Sequence, residues 1–121
     1  MTDSTTSSTP PVQLNAANLA DLDPQVARPQ YDRSQVSVGI VHFGVGAFHR
    51  THQAMYLDSL MNTGQALDWG ICGVGVMPSV DQRMKTVLDT QDCLYTMVIK
   101  HPDGTFEGAT DPRSDGAAVA F

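Results

Sequence analysis

The hydrophobic pattern of the chain predicts three short strands. Residues 36–43 form a nearly continuous apolar run, interrupted by His42, which is typical of a parallel strand buried on both faces. Residues 69–76 form the second run, in which Gly73 and Gly75 leave room for close backbone approach. Residues 93–100 form the third.

Two amphipathic segments separate these strands. Residues 47–62 predict a helix, with Gly64 after its last turn, because glycine adopts the left-handed conformation at low cost. A second helix begins near Ser79, which forms a capping-box pattern with Gln82. The apolar stripes are Ala47, Ala54, Leu57, Leu60 and Met61 in the first helix, and Val80, Met84, Val87 and Leu88 in the second.

The order strand, helix, strand, helix, strand predicts an α/β fold, namely the first half of a Rossmann-type doubly wound parallel sheet over residues 36–107. Residues 1–35 are interpreted as a polar arm and leader, with a disordered tail through residue 11, a short helical segment at 14–19 and a linker at 29–32. Residues 102–105 predict a turn. Residues 108–121 are rich in Gly, Ala and Asp and do not resemble a further sheet element.

Composition and charge narrow the class of protein. The chain has 121 residues, 41% hydrophobic residues and a formal net charge of -6, which permits one small domain and disfavours nucleic acid or an anionic membrane as a partner. No stretch approaches the roughly 20 apolar residues of a membrane span, and the N-terminus lacks the pattern of a secretory signal. Cys72 and Cys93 are expected to be buried free thiols. These features predict a cytoplasmic protein.

The first strand ends in a glycine loop that is suited to phosphate binding. Gly44 allows a tight turn, and Gly46 lets the backbone approach an anion without an obstructing Cβ atom. The N–H groups at the start of the next helix would then point at a dinucleotide pyrophosphate. His49 occupies the position of the usual third glycine, so an ordinary strand-to-helix turn remains the alternative interpretation.

The end of the second strand usually determines the choice between NAD and NADP. No acidic residue stands directly at the strand end. Asp81 follows a few residues later, where the first helical turn would favour its charge. Arg83 could meet a 2′-phosphate, although a solvated helix face explains it better. The sequence favours NAD modestly and leaves NADP open.

Polar side chains crowd the glycine loop. His42, His49 and His52 permit a zinc site as one hypothesis, but no carboxylate or thiolate is placed to complete it. Backbone hydrogen bonds or phosphate contacts explain them more simply. Arg50 is the one cation of the loop, and a pyrophosphate contact and a surface position are equally good interpretations. The chain shows no catalytic set, since it lacks a nucleophile elbow, a Walker lysine and a Tyr-x-x-x-Lys pair.

Residues 40–54 resemble the N-terminal cofactor loop of the polyol-specific long-chain dehydrogenases, the mannitol 2-dehydrogenase family. Residues 58–64, 68–75 and 91–96 continue the resemblance. The G-x-G-x-F-H-R-x-H stretch from Gly44 to His52 is much more specific than a lone glycine pair, because it explains why His49 replaces the third glycine. The resemblance implies an NAD-dependent, zinc-independent enzyme that oxidises a sugar alcohol such as D-mannitol at C2 to D-fructose by hydride transfer. The candidate cofactor-binding residues are Gly44, Val45, Gly46, Ala47, Phe48, His49 and Arg50.

Two departures from the family pattern bear on function. Family members are much longer, and their catalytic lysine, with its Asn and His helpers, lies in a C-terminal helical domain that the resemblance does not reach here. Residues 108–121 do not match the family either, so we expect a truncation or a shifted reading frame near Gly108. The chain is therefore expected to contain no catalytic residue and to be inactive alone. Uronate reductases, D-arabinitol dehydrogenase and mannitol-1-phosphate dehydrogenase stay open within the family, and a non-catalytic nucleotide-binding or unstable fragment outside it.

Overall fold

The structure is a computed structural model that describes residues 12–24 and 26–104, together with the backbone of residues 117–120. Its order of strands and helices confirms the predicted α/β pattern. The predicted disordered tail lies outside the described residues. Along the chain the elements are β1 (Val38–Phe43), α1 (Ala47–Thr51), α2 (Gln53–Met61), β2 (Gly70–Val74), α3 (Pro78–Thr90), β3 (Leu94–Met97) and β4 (Ala117–Ala120).

Strands β1 and β2 pair in parallel and form the predicted Rossmann-type βαβ unit with the helices between them. The register places Ile40 opposite Ile71 and Phe43 opposite Val74. Glycine is required near the start of both strands, because a Cβ atom on Gly39 would lie 2.3 Å from the Asp68 carbonyl oxygen and one on Gly70 2.8 Å from that of Ser37. The glycine loop therefore follows a strand whose backbone is closely packed against that of its neighbour.

Strand β3 departs from the predicted parallel arrangement, because it pairs antiparallel with β4 in a second two-stranded sheet. A turn after α3 redirects the chain: Asp92 and Cys93 both have positive φ angles, of 52° and 61°, and the Cys93 N–H donates to the Leu88 carbonyl at 2.7 Å. The expectation that residues 108–121 contain no sheet element was wrong. Alanine has a weak strand propensity, which is why the alanine-rich strand β4 gave no signal.

The predicted continuous helix over residues 47–62 is interrupted at His52, where φ is -121° and ψ is -81°. Side chains cause the break, since His52 Nδ1 lies 2.8 Å from the Phe48 carbonyl and the Thr51 hydroxyl donates to the Ala47 carbonyl at 2.9 Å. Such side-chain bonds compete with the backbone bonds of a regular helix and bend it. Gly64 has the predicted left-handed conformation, with φ of 84°.

The core lies between α2, α3 and β3 rather than around β1. Ala54, Leu88, Tyr95 and Met97 form the buried cluster. In contrast, Val38, Val41 and Phe43 of β1 are 63%, 59% and 71% exposed, so the predicted burial of this strand on both faces was wrong. Helix residues pack on the His42 side, and no described element covers the face of Val41 and Phe43. The predicted helix stripes are also partly exposed, at Ala47, Leu60, Val80 and Val87.

Residues 29–32, which were predicted to be a linker, contact the domain directly. The short helical segment that was expected is a 3-10 helix over Ala16–Asp21. Further along, the Tyr31 hydroxyl donates to Asp58 Oδ1 at 2.7 Å, and the Gln30 N–H donates to Asn62 Oδ1 at 2.7 Å. Asp58 lies in α2 and Asn62 is the C-cap residue of that helix, so residues 29–32 fasten the leader to α2.

The two cysteines are free thiols, as predicted, but they are not both buried. Cys72 is exposed, and Cys93 is half-buried. The turn predicted at residues 102–105 is present through Gly104, which has a φ of 86° and donates its N–H to the His101 carbonyl at 2.9 Å. Within the described part of the chain, no helix is long and apolar enough to cross a membrane.

Candidate functional site at the glycine loop

The loop that follows β1 has the backbone geometry that its glycines predict. Gly44 has a φ of 100°, a conformation that L side chains rarely adopt, and its N–H donates to the Val74 carbonyl at 2.6 Å. Gly46 is the N-cap residue of α1 and offers no side-chain cap. A Cβ atom built on Gly44 or Gly46 meets no atom within 4 Å, so the space beside the loop is open.

The seven candidate residues differ in how far they are exposed. Val45 and His49 are buried, at 7% and 8% exposure. Phe48 is 78% exposed and stacks on the His52 ring, with 4.0 Å between the ring centroids. The loop therefore presents its backbone and the Ala47 and Phe48 side chains to solvent, while Val45 and His49 are buried. Gly44 and Arg50 are half-buried, and Gly46 and Ala47 are exposed.

The histidines of the loop make contacts within the protein, as their simpler interpretation predicted. His42 Nδ1 lies 3.0 Å from the Gly44 carbonyl oxygen, which can only accept, so Nδ1 carries the proton. The His42 ring stacks on His49, with 3.5 Å between centroids, and His49 Nδ1 lies 3.1 Å from Gln53 Oε1. Burial lowers the pKa of His49, and the neighbouring His42 and Arg50 lower it further. His49 is therefore held neutral at pH 7.

The zinc hypothesis gains no support from this arrangement. Among residues 12–24 and 26–104, no three His, Cys, Asp or Glu side chains come together as a metal-binding group. His52 Nδ1 contacts the Phe48 carbonyl, and His42 Nδ1 contacts that of Gly44. Both side chains therefore form hydrogen bonds with backbone carbonyls of the loop.

Arg50 braces the loop from α1. Its Nε donates to the Val45 carbonyl at 3.0 Å, and its guanidinium carbon lies 5.4 Å from the centre of the Tyr95 ring. The Tyr95 hydroxyl in turn donates to the Arg50 carbonyl. Sequence reasoning missed Tyr95, because it stands 45 residues away on β3 and belongs to no motif.

Asp81 places a carboxylate at the carboxyl end of β2, where the sequence had shown none. It lies in the first turn of α3, and its Oδ2 accepts hydrogen bonds from the Val76 N–H at 2.5 Å and from the Met77 N–H. Gly75 permits this approach, since a Cβ atom there would lie 2.6 Å from that of Asp81. The predicted capping box was wrong: Met77 is the N-cap residue of α3, and Asp81 supplies the acceptor.

A groove of about 650 Å³ runs along β2 beside this carboxylate. Val45 of the loop, Val76 and Asp81 line it at the carboxyl end of the strands, and α3 contributes Lys85 and Leu88. In open α/β sheets, ligands bind in the crevice outside the carboxyl ends of the strands. The glycine loop and the Asp81 carboxylate thus border one groove. Arg83 is exposed on α3 and is not among the residues that line it.

Comparison with known proteins places this geometry in a family. Residues 38–106, more than half of the chain, match the family described as mannitol dehydrogenase Rossmann domain. A mannitol 2-dehydrogenase of Cereibacter sphaeroides is 52% identical over 96 residues, which are 79% of this chain and 19% of that protein.

Two solved structures share the fold. Mannitol 2-dehydrogenase of Pseudomonas fluorescens, in a ternary complex with NAD and D-mannitol, is 41% identical with a TM-score of 0.77, and the match covers 90% of this chain and 20% of that one. A D-sorbitol dehydrogenase in substrate-free form is 30% identical with a TM-score of 0.71, over 88% and 20% of the two chains. The chain thus spans about a fifth of the length of these relatives. It belongs to the mannitol dehydrogenase family, through the Rossmann domain of that family.

Proposed function

We propose that residues 36–107 bind NAD as the cofactor-binding part of a polyol dehydrogenase that oxidises D-mannitol to D-fructose. The observation that carries the proposal is the open glycine loop at the carboxyl end of the parallel pair β1–β2, within the segment that matches the family. The relative from Pseudomonas fluorescens has been solved with NAD and D-mannitol.

The residues of the loop fit a dinucleotide. Backbone N–H groups need an unobstructed approach to reach a pyrophosphate, and Cβ atoms at Gly44 and Gly46 would meet no neighbour. Gly46 supplies no side-chain cap, so the first N–H groups of α1 keep their donor capacity. We assign the cofactor contacts to Gly44, Val45, Gly46, Ala47, Phe48 and His49; Arg50 completes the set of binding residues, either by contacting phosphate or by holding the loop that does so.

Asp81 supports NAD rather than NADP. A carboxylate at the end of the second strand accepts hydrogen bonds from the adenosine ribose hydroxyls and repels a 2′-phosphate. Asp81 Oδ2 already accepts two backbone bonds, which fix the carboxylate while Oδ1 keeps its acceptor capacity. The adjoining groove of about 650 Å³ has the position expected for the adenosine half of the cofactor.

The bound nicotinamide would supply the chemistry by accepting hydride from C2 of the polyol. The residues of this chain would bind and orient the cofactor, while the catalytic lysine and its helpers, as the family resemblance implies, belong to a C-terminal domain. We propose D-mannitol rather than D-sorbitol as the substrate, because this chain is 41% identical to the mannitol 2-dehydrogenase and 30% identical to the D-sorbitol dehydrogenase. We also place the protein in the cytoplasm, in agreement with the free thiols of Cys72 and Cys93.

Calorimetric titration of the 121-residue chain with NAD and NADP tests the cofactor proposal. We expect NAD to bind more tightly than NADP. Asp81→Asn keeps an oxygen acceptor but removes the charge, so it should reduce the ratio of the two affinities about tenfold. Lys85→Gln changes the charge of the same groove without touching the strand end and is the matched control. Equal affinities for the two dinucleotides in the unmodified chain would contradict the NAD assignment.

A coupled assay of D-mannitol oxidation tests whether this chain only binds the cofactor or also carries out the oxidation. The chain alone should give no turnover above background, because the catalytic lysine and its helpers, as the family resemblance implies, lie outside the fifth of the relatives' length that it spans. Measurable turnover by the purified chain would show that its own residues perform the chemistry.

A further inference from the structure

Arg50 makes three contacts that fix it between the glycine loop and the core. Its Nε donates to the Val45 carbonyl, its guanidinium lies over the Tyr95 ring, and its own carbonyl accepts from the Tyr95 hydroxyl. We infer that Arg50 is a positioning residue, which sets the orientation of the Val45–Gly46 peptide, and that Tyr95 holds Arg50 in place.

Peptide geometry connects this contact to the proposed ligand. The described residues contain no cis peptide bond, so the Val45–Gly46 peptide is planar and trans, with its C=O and N–H pointing in opposite directions. Holding the Val45 carbonyl toward Arg50 therefore turns the Gly46 N–H to the other side. In the described part of the chain that N–H donates to no acceptor, and the space beside Gly46 is open.

Tyr95 makes the brace rigid. It is 5% exposed and belongs to the buried cluster with Ala54, Leu88 and Met97. Its ring and hydroxyl contact two separate parts of Arg50, the side chain and the backbone. Through Arg50 and Tyr95, the buried cluster thus fixes the orientation of the Val45–Gly46 peptide. This limits the conformations that the loop can adopt before a ligand binds. Preorganisation of this kind raises affinity by reducing the entropy lost on binding.

A direct charge contact of Arg50 with phosphate is the rival explanation, and substitution by lysine separates the two. Lysine keeps the positive charge but has neither an Nε–H in that position nor a planar group to lie on an aromatic ring. A charge contact survives Arg50→Lys, whereas the brace does not. Arg33→Lys is the matched control, because Arg33 also donates from its guanidinium to a backbone carbonyl, that of Asp92, away from the loop.

The first arm of the test is independent of any ligand. Backbone relaxation of the free chain, measured by NMR, gives the order parameter of the Gly46 N–H vector, which should be about 0.85 in the unmodified chain and below about 0.6 in Arg50→Lys. Arg33→Lys should leave it unchanged. Tyr95→Phe, which removes only the hydroxyl, should lower it by a smaller amount. Should Arg50→Lys fail to fold, Tyr95→Phe decides the question. An unchanged order parameter in the folded variants overturns the inference.

The second arm rests on the proposed function. Titration with NAD should show about tenfold weaker binding to Arg50→Lys, whereas adenosine, which has no pyrophosphate, should bind the variant and the unmodified chain equally. Equal NAD affinity of the two proteins, with the order parameter unchanged, identifies Arg50 as a charge contact and overturns the brace. If the unmodified chain binds no NAD, the proposed function fails, while the order parameters still decide the role of Arg50.

Discussion

The region around α2, α3 and β3 and the region around β1 differ in how the chain buries them. Leu94 and Ala54 are 0% and 1% exposed, whereas Val41 and Phe43 are 59% and 71% exposed. The candidate site lies at the end of the exposed strand. The contacts that fix it are mainly polar: the Gly44 N–H to Val74, His42 to Gly44 and Arg50 to Val45.

This difference separates the residues that determine stability from those that shape the site. Apolar burial provides most of the free energy of folding, so substitutions in the cluster act on the whole fold. The loop is held by a few directional bonds, so substitutions there should change its geometry and its binding more than its stability. Tyr95 is the exception, because it belongs to the cluster and also contacts Arg50.

Leu94→Ala should have the largest effect on stability. Leu94 is completely buried, and truncation of such a side chain removes apolar contacts and leaves a cavity, at a cost of about 3 kcal/mol. Chemical denaturation of the variant measures this loss. Val41→Ala on the exposed strand should cost less than about 0.5 kcal/mol. Similar losses in the two variants would show that the two regions are buried alike in solution.

Gly44→Ala and Gly46→Ala should separate backbone strain from contact with the ligand. Gly44 has a φ of 100°, so alanine there is strained and should destabilise the chain by about 2 kcal/mol. Gly46 has an ordinary φ of -68°, and its substitution should leave the stability unchanged but weaken NAD binding. Denaturation and calorimetry check both. A Gly46→Ala variant that binds NAD normally would contradict a close approach of the cofactor at this position.

Tyr31→Phe should weaken the attachment of the leader by about 1 kcal/mol, because the variant loses the hydrogen bond to the buried Asp58. Burial, followed by the hydrogen bond and the charge of Asp58, raises the pKa of Tyr31 above its ordinary value.

This raised pKa gives the Tyr31 prediction a pH dependence. Above pH 10 the unfolded state loses its proton first, so the stabilisation is fully present at neutral pH and is lost as the pH rises. The free energy of unfolding, measured from pH 8 to pH 11, should fall less steeply for Tyr31→Phe than for the unmodified chain. Tyr56→Phe, at an exposed tyrosine of α2, is the control and should keep the original slope.

His49→Gln should have the smallest effect on stability, seen as a change in the pH dependence of the melting temperature. The pKa of His49 is lowered by burial and by His42 and Arg50, so at acid pH the unfolded state takes up a proton more readily than the folded state. The stabilisation is present above the ordinary histidine pKa of about 6.5 and is lost as the pH falls through the lowered value. Melting temperatures between pH 7.5 and pH 5 should decline less for the variant. Parallel declines would show that His49 titrates normally.

Several local features of the site were predictable from the sequence, although the equally local break in the helix at His52 was not. A glycine pair after an apolar strand predicted both the turn at Gly44 and the start of α1, because these features depend on neighbouring residues. The role of His42 followed in the same way, since its partner, the Gly44 carbonyl, is two residues away.

The sequence did not predict the long-range features of the fold and the site. The reversal at Asp92 and Cys93, which takes β3 out of the parallel sheet, uses non-glycine residues at positive φ, and no composition rule predicts it. Asp81 was identified as a first-turn residue, but its bonds to Val76 and Met77 depend on the angle between β2 and α3. The Tyr31–Asp58 and Tyr95–Arg50 contacts join residues 27 and 45 positions apart and carry no periodic signal.

Chemical-shift mapping with NAD shows whether the glycine loop and the carboxyl end of β2 at Asp81 form one dinucleotide site. Titration of the isotope-labelled chain should shift the backbone amides of Gly44, Gly46 and Ala47 together with those of Val76 and Met77, and should leave those of Gln30 and Tyr31 in place. Shifts confined to the leader or to the exposed face of β1, or no shifts at saturating NAD, would contradict the account.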